Sequence, residues 1–194
     1  MSSTTYKNEY GNDITSAQAN QLANYSQVII DDNNQKIINT FVNGVLNGTT
    51  YTISSENDIA QILLLNPNAS FTIASVTNGY DISESQSYKD GQLIYKNKAV
   101  GDSSGNCICV QNYDINTGLP VYMDTIKTYY DETGTSVYEF VYNNDGSCSL
   151  IDQIQVIDFG AEFLASQIGT DPDITFTWEG FEYYQNAEPL IPGN

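Results

Sequence analysis

The stretch Tyr130-Asp-Glu-Thr-Gly134-Thr-Ser-Val137-Tyr-Glu-Phe-Val-Tyr142-Asn-Asn-Asp-Gly146 decides the fold class. Between two polar turns that each end in glycine, Tyr138, Phe140 and Tyr142 alternate with Val137, Glu139 and Val141. A period of two sends the aromatics to one side of a pleated strand and the Val-Glu-Val set to the other. Apolar groups on both sides mark a central strand. Short turns rich in Asp, Asn and Gly join such a strand to antiparallel neighbours, because parallel ones need a long crossover.

Working outward, the same cadence returns: a Tyr, a polar turn with Gly, then an apolar or aromatic strand. It opens at Tyr88-Lys-Asp-Gly91 and again at Tyr113-Asp-Ile-Asn-Thr-Gly118, and the Gly-to-Gly intervals are uneven. Over residues 88–146 it resembles the Tyr/Gly hairpin units of bacterial YD-type and MORN-type repeats. The resemblance carries no functional residue onto this chain, and a plain meander of hairpins explains the cadence equally well. Toward the N-terminus, Gln27-Val-Ile-Ile30 and Lys36-Ile-Ile-Asn-Thr-Phe-Val42 read as a hairpin around a longer loop. Asn43-Gly44 before Val45-Leu46 is the strongest short-range hairpin signal, since both positions tolerate φ > 0. Phe71–Val76 reads as a further strand.

Helices are fewer. Thr15 or Ser16 can cap one through Ala17–Ala23. Ser55 with Asp58 approximates a capping box for Glu56–Leu65, where Ile59, Ile62 and Leu63 share a face and Asn66-Pro67 ends the run. Beyond the meander, Gln153–Val156 reads as a strand and Ala161–Ile168 as a short helix. Ile174, Phe176 and Trp178 read as a strand with its aromatic side inward, turning at Glu179-Gly180 into Phe181–Tyr184. The expected class is α+β: a mostly antiparallel β-sheet, a hairpin meander, with two or three short helices packed against it. The length of 194 residues suits one domain, 1–194. Its expected parts are an irregular leader 1–14, a helix/hairpin/helix part 15–69, a β-meander 70–188 with an acidic C-terminal third, and a tail 189–194.

Charge narrows the function. Twenty-four acidic residues face six lysines, and the chain holds no Arg and no His, for a net charge of −18. After Lys127 twelve acids follow and no basic residue does. A field of that sign repels nucleic acid and anionic lipid and attracts cations and basic proteins. Without His the usual Ser-His-Asp and Cys-His nucleophile systems and His-ligated metal sites are excluded. Without Arg there is no bidentate phosphate clamp. No common nucleotide-binding glycine loop occurs either. The expectation is therefore a non-enzyme with no cofactor and no metal.

Weaker signals are set beside plainer readings. Asp31-Asp-Asn33, Asp114-Ile-Asn116-Thr-Gly118 and Asn143-Asn-Asp145-Gly146 hold oxygens that calcium favours, but they miss the EF-hand spacing and are ordinary turn residues. Cys107, Cys109 and Cys148 read as small core residues rather than a zinc site. An odd cysteine count and a polar start, Met1–Tyr10, suit a cytoplasmic protein. Glu139, Glu162, Glu179 and Glu182 are candidates for a carboxylate glycoside hydrolase, with no spacing that selects a pair.

The favoured reading is a binding protein, an immunity protein or antitoxin that neutralises a basic toxin such as a nuclease. Asp158, Glu162, Asp171, Asp173, Glu179 and Glu182 would steer the partner, and Tyr183 and Tyr184 would anchor it. The alternative is an extracellular or virion-associated β-protein, an adhesin or carbohydrate-binding module stabilised by calcium.

Overall fold

The computed structural model describes residues 2–32, 35–154 and 162–193. Asn33, Val156, Asp158 and Ala161, all named above, lie outside these. The strands are β1 (Ser3–Asn8), β2 (Asp13–Ile14), β3 (Tyr25–Ile30), β4 (Lys36–Val42), β5 (Val45–Ile53), β6 (Ser70–Thr77) and β7 (Tyr80–Lys89). They continue as β8 (Gln92–Gly101), β9 (Cys107–Tyr113), β10 (Pro120–Tyr130), β11 (Ser136–Tyr142), β12 (Cys148–Gln153) and β13 (Glu162–Leu164). In hydrogen-bonded order they run β13-β12-β11-β10-β9-β8-β7-β6-β5-β4-β3-β1-β2. Among the described pairings β5 with β6 alone is parallel. The mostly antiparallel sheet is thus present, with few helices: α1 (Ser16–Ala19), α2 (Ile59–Leu65) and three 3-10 turns.

Two turn chemistries build the meander. Asn43-Gly44, Asn78-Gly79 and Asp90-Gly91 are two-residue loops with positive φ at both positions, the geometry whose twist matches that of the strands it joins. Downstream the loops are longer and led by Asp or Asn. The Asp131 carboxylate accepts the backbone N–H of Thr133 at 2.8 Å and of Thr135 at 3.0 Å, and Asp114 accepts those of Asn116 and Thr117. Donors of this kind hold the carboxyls of Asp131, led by the Thr133 hydroxyl, and of Asp114, led by the Thr117 N–H, below their ordinary range. One oxygen of each carboxylate, Oδ1, is thus spent on the turn itself.

The chain forms two compact units: residues 1–74 with 84–96, and residues 75–83 with 97–194. In the first, α2 lays Ile59 on Ile53, Ala69 and Phe71, with Ile62 and Leu63 packed beside them. The expected leader is structured. Thr4, Tyr6 and their neighbours pair with β3 residue by residue, and the polar run gives no local sign of it because the partner lies some twenty residues on. Tyr6, Gln27, Asn39 and Thr49 stand opposite one another across β1, β3, β4 and β5 and hydrogen-bond side chain to side chain.

The second unit positions the candidate site. Cross-strand partners share a face, so the register sorts its residues into two rows. Val100, Cys109, Lys127, Phe140, Ile151 and Phe163 form one, on a face covered by residues 165–191. Ala99, Val110, Ile126, Val141, Leu150 and Leu164 form the other, on the opposite face, where Ile126 is 42% and Leu164 51% exposed.

The covering segment differs from expectation. Residues 162–168 begin as the edge strand β13 and continue as a 3-10 turn, Ala165–Gln167, in place of a helix. Ile174–Trp178 forms no strand, and Phe181–Tyr184 ends in a 3-10 turn, Glu182–Tyr184. The inward direction of the aromatics holds: Phe176 is buried and Trp178 packs on the Phe140 cluster. Period two here reflects an irregular strap whose large side chains fill the sheet's hollows. No helix among the described residues is long and apolar enough to cross a membrane.

Candidate functional site

Lys127 organises the C-terminal segment. Its side chain, 0% exposed, rises from the covered face of β10, and Nζ donates to the carbonyls of Tyr183 at 3.0 Å, Asn186 at 2.8 Å and Pro189 at 2.8 Å. The Tyr183 ring lies 3.7 Å from the same ammonium. Burial pulls the lysine down to about 8. Backbone and side-chain bonds extend the attachment: Cys148 N–H to Gln185 O, Ala187 N–H to Gly146 O, and Tyr142 hydroxyl to Tyr184 O.

Tyr183 and Tyr184 belong to this attachment. Tyr184 stacks on Phe140 at 4.4 Å, and the Tyr183 hydroxyl donates to Leu190 O. Both rings are half-buried and turned inward, so they serve the fold in place of the outward anchors expected of them.

The expected acids separate into groups. Glu162, Asp171 and Asp173 line one open cavity of about 400 Å³ with Gln153, Phe163 and Phe176. Asp171 is fixed there by the Asp173 N–H at 3.0 Å and the Gln167 amide at 3.3 Å. Glu179 and Glu182 are exposed and line none of it; Glu182 accepts the Gly180 N–H in its own loop. Asp158 lies outside the described residues.

Register joins Glu162 instead to two acids on the opposite face that the linear reading did not connect with it. On the open face Glu139 stands opposite Asp152, and Asp152 opposite Glu162. Such partners have Cβ atoms about 5 Å apart, and like charges so placed repel. The strand alternation already put Glu139 opposite the aromatics; what pairs it with Asp152 and Glu162 is register. Of the second unit's two lysines, Lys127 is buried on the covered face, and Lys98, next to Ala99, alternates onto that same face. No lysine therefore stands on the open face among the described residues. The first unit treats inward carboxylate differently: Glu84, 9% exposed, meets Lys96 at 2.6 Å and the Gln86 amide at 2.7 Å.

Two of the three thiols are buried and unreactive. Burial pushes the Cys109 thiol up to about 12 and Cys148 up to about 11, so neither is a nucleophile at neutral pH. Among the described residues no group of three or more Cys, Asp or Glu is arranged to hold a metal ion. Comparison of the chain with protein-family models, with curated proteins and with solved structures returned no match.

Proposed function

We propose that this is a non-enzymatic acidic binding protein that neutralises a basic protein partner, as an immunity protein or antitoxin in the cytoplasm neutralises a cationic toxin. The observation that carries the reading is the row Glu139, Asp152 and Glu162, aligned on one face with no lysine beside it. Repulsion makes that row a liability to stability, and a cationic partner turns it into attraction. Long-range steering by the −18 net charge would bring the partner in, and the row would fix its register.

The test is co-expression with the product of the adjacent open reading frame, followed by binding kinetics over a range of salt. A basic partner whose association rate falls roughly tenfold or more from low to physiological salt supports the reading. A neutral or acidic partner, or an association rate that ignores salt, rejects it.

A further inference from the structure

The open face of the second unit carries two parallel rows. One is apolar and crosses six strands, from Ala99 on β8 to Leu164 on β13. The other is anionic and crosses three, from Glu139 to Glu162. Along each strand the two rows are two residues apart, as Val141 is from Glu139, Leu150 from Asp152, and Leu164 from Glu162. Two residues of strand advance about 7 Å, and neighbouring strands lie about 4.8 Å apart. The carboxylates thus span about 10 Å in a straight line, beside an apolar row about 24 Å long.

We infer that this face docks a basic amphipathic helix of the partner, laid across the strands. The inference rests on the basic-partner reading above and specifies the surface and the partner's form. Charge complementarity selects cations. On an α-helix, residues i, i+3 or i+4, and i+7 share a face and span about 10.5 Å, so three Lys or Arg at that spacing match the three carboxylates. With side chains a helix is 10–12 Å across, wide enough for an apolar stripe beside the cationic one to reach the second row about 7 Å away. An added β-strand would not use these rows, because strand addition pairs with the backbone of an edge. Here the side chains rise from the interior strands β8 to β12 as well as from the edge.

The probe is a synthetic leucine–lysine peptide of amphipathic helical pattern, with a scrambled peptide of the same composition and polylysine as comparisons. Binding to the full chain is read by fluorescence anisotropy over a range of salt. Three variants are compared, each first checked for an unchanged circular dichroism spectrum. The first replaces the acidic row (E139Q, D152N, E162Q), the second the apolar row (I126T, L150T), and the third the C-terminal acids off the face (D171N, D173N, E179Q, E182Q).

The expected result is that the helical peptide binds at least tenfold tighter than the scrambled one. Either face variant then loses tenfold or more, and the third variant, although it removes more charge than the first, loses less than about threefold through the weaker long-range field. If the third variant loses binding while both face variants keep it, the surface is wrong and the basic-partner reading stands. If the scrambled peptide and polylysine bind as tightly as the helix, the helical occupant is wrong. If nothing cationic binds even at low salt, this inference and the reading beneath it both fall.

Discussion

Lys127 is the residue on which the second unit's covered face depends. A buried ammonium is tolerated only when its donors are used, and here three carbonyls of one short segment take them. Substitution by Met keeps the stem's volume but strands the carbonyls of Tyr183, Asn186 and Pro189. Lys127→Met is expected to lower stability by about 3 kcal/mol, the usual result of breaking a buried charged hydrogen-bonded group, read as a lower urea midpoint. The pH dependence has a definite sign. Folding depresses this lysine to about 8 from 10.5, so the unfolded chain holds the proton more readily through that window. Stability from this group therefore rises with pH between about 8 and 10.5. The difference between parent and Lys127→Met should widen over that range. A difference that narrows would mean the native ammonium is stabilised, not penalised, by its surroundings.

Among elements, the hairpin turns carry the specification. Gly91 and Gly146 both have positive φ, +74° and +84°, so a side chain at either position costs about 1 to 2 kcal/mol in backbone strain. A Cβ at Gly91 would meet nothing within 4 Å, whereas at Gly146 it would meet the Tyr122 ring at 3.4 Å. That distance is ordinary van der Waals contact, so Gly146→Ala and Gly91→Ala should lower the melting temperature by similar amounts set by the backbone strain; a clearly larger loss at Gly146 would mean that the Tyr122 ring has to shift. Turns of this sort made the meander legible from sequence: Asn43-Gly44 and the Asp-led loops announce themselves locally, and the strands between them alternate. The C-terminal strap was misread because its alternation of Ile174, Phe176 and Trp178 mimics a strand, while its backbone partners are Lys127 and the ends of distant strands. Of the site, Glu162, Asp171 and Asp173 were legible as neighbours in the chain. The row through Glu139 and Asp152 was not. It depends on register, which a β-bulge between Val141 and Tyr142 shifts, and on a return of the chain to β13 that no local motif encodes.

For the whole molecule, the question is whether negative charge is placed for binding or merely tolerated. With 24 carboxylates against six lysines, one of them sealed inside, self-repulsion works against folding at low salt. Most of that repulsion acts between exposed groups farther apart than the screening length of about 8 Å at physiological salt, and is weak there. The open-face row differs, because its members stand about 5 Å apart, inside that length. Asp152, in the middle, faces a carboxylate on either side. Asp152→Asn is therefore expected to raise stability by about 0.5 to 1 kcal/mol at low salt, and to keep part of the gain at physiological salt. Glu132→Gln, an exposed turn position with no acid opposite it in the ladder, removes the same unit of charge and should change stability by less than about 0.5 kcal/mol. Urea midpoints of parent and both variants at two salt concentrations make the comparison. If Asp152→Asn gains no more than Glu132→Gln, the row is only part of a diffuse acidic exterior, and a surface shaped by selection for a cationic partner loses its main physical support.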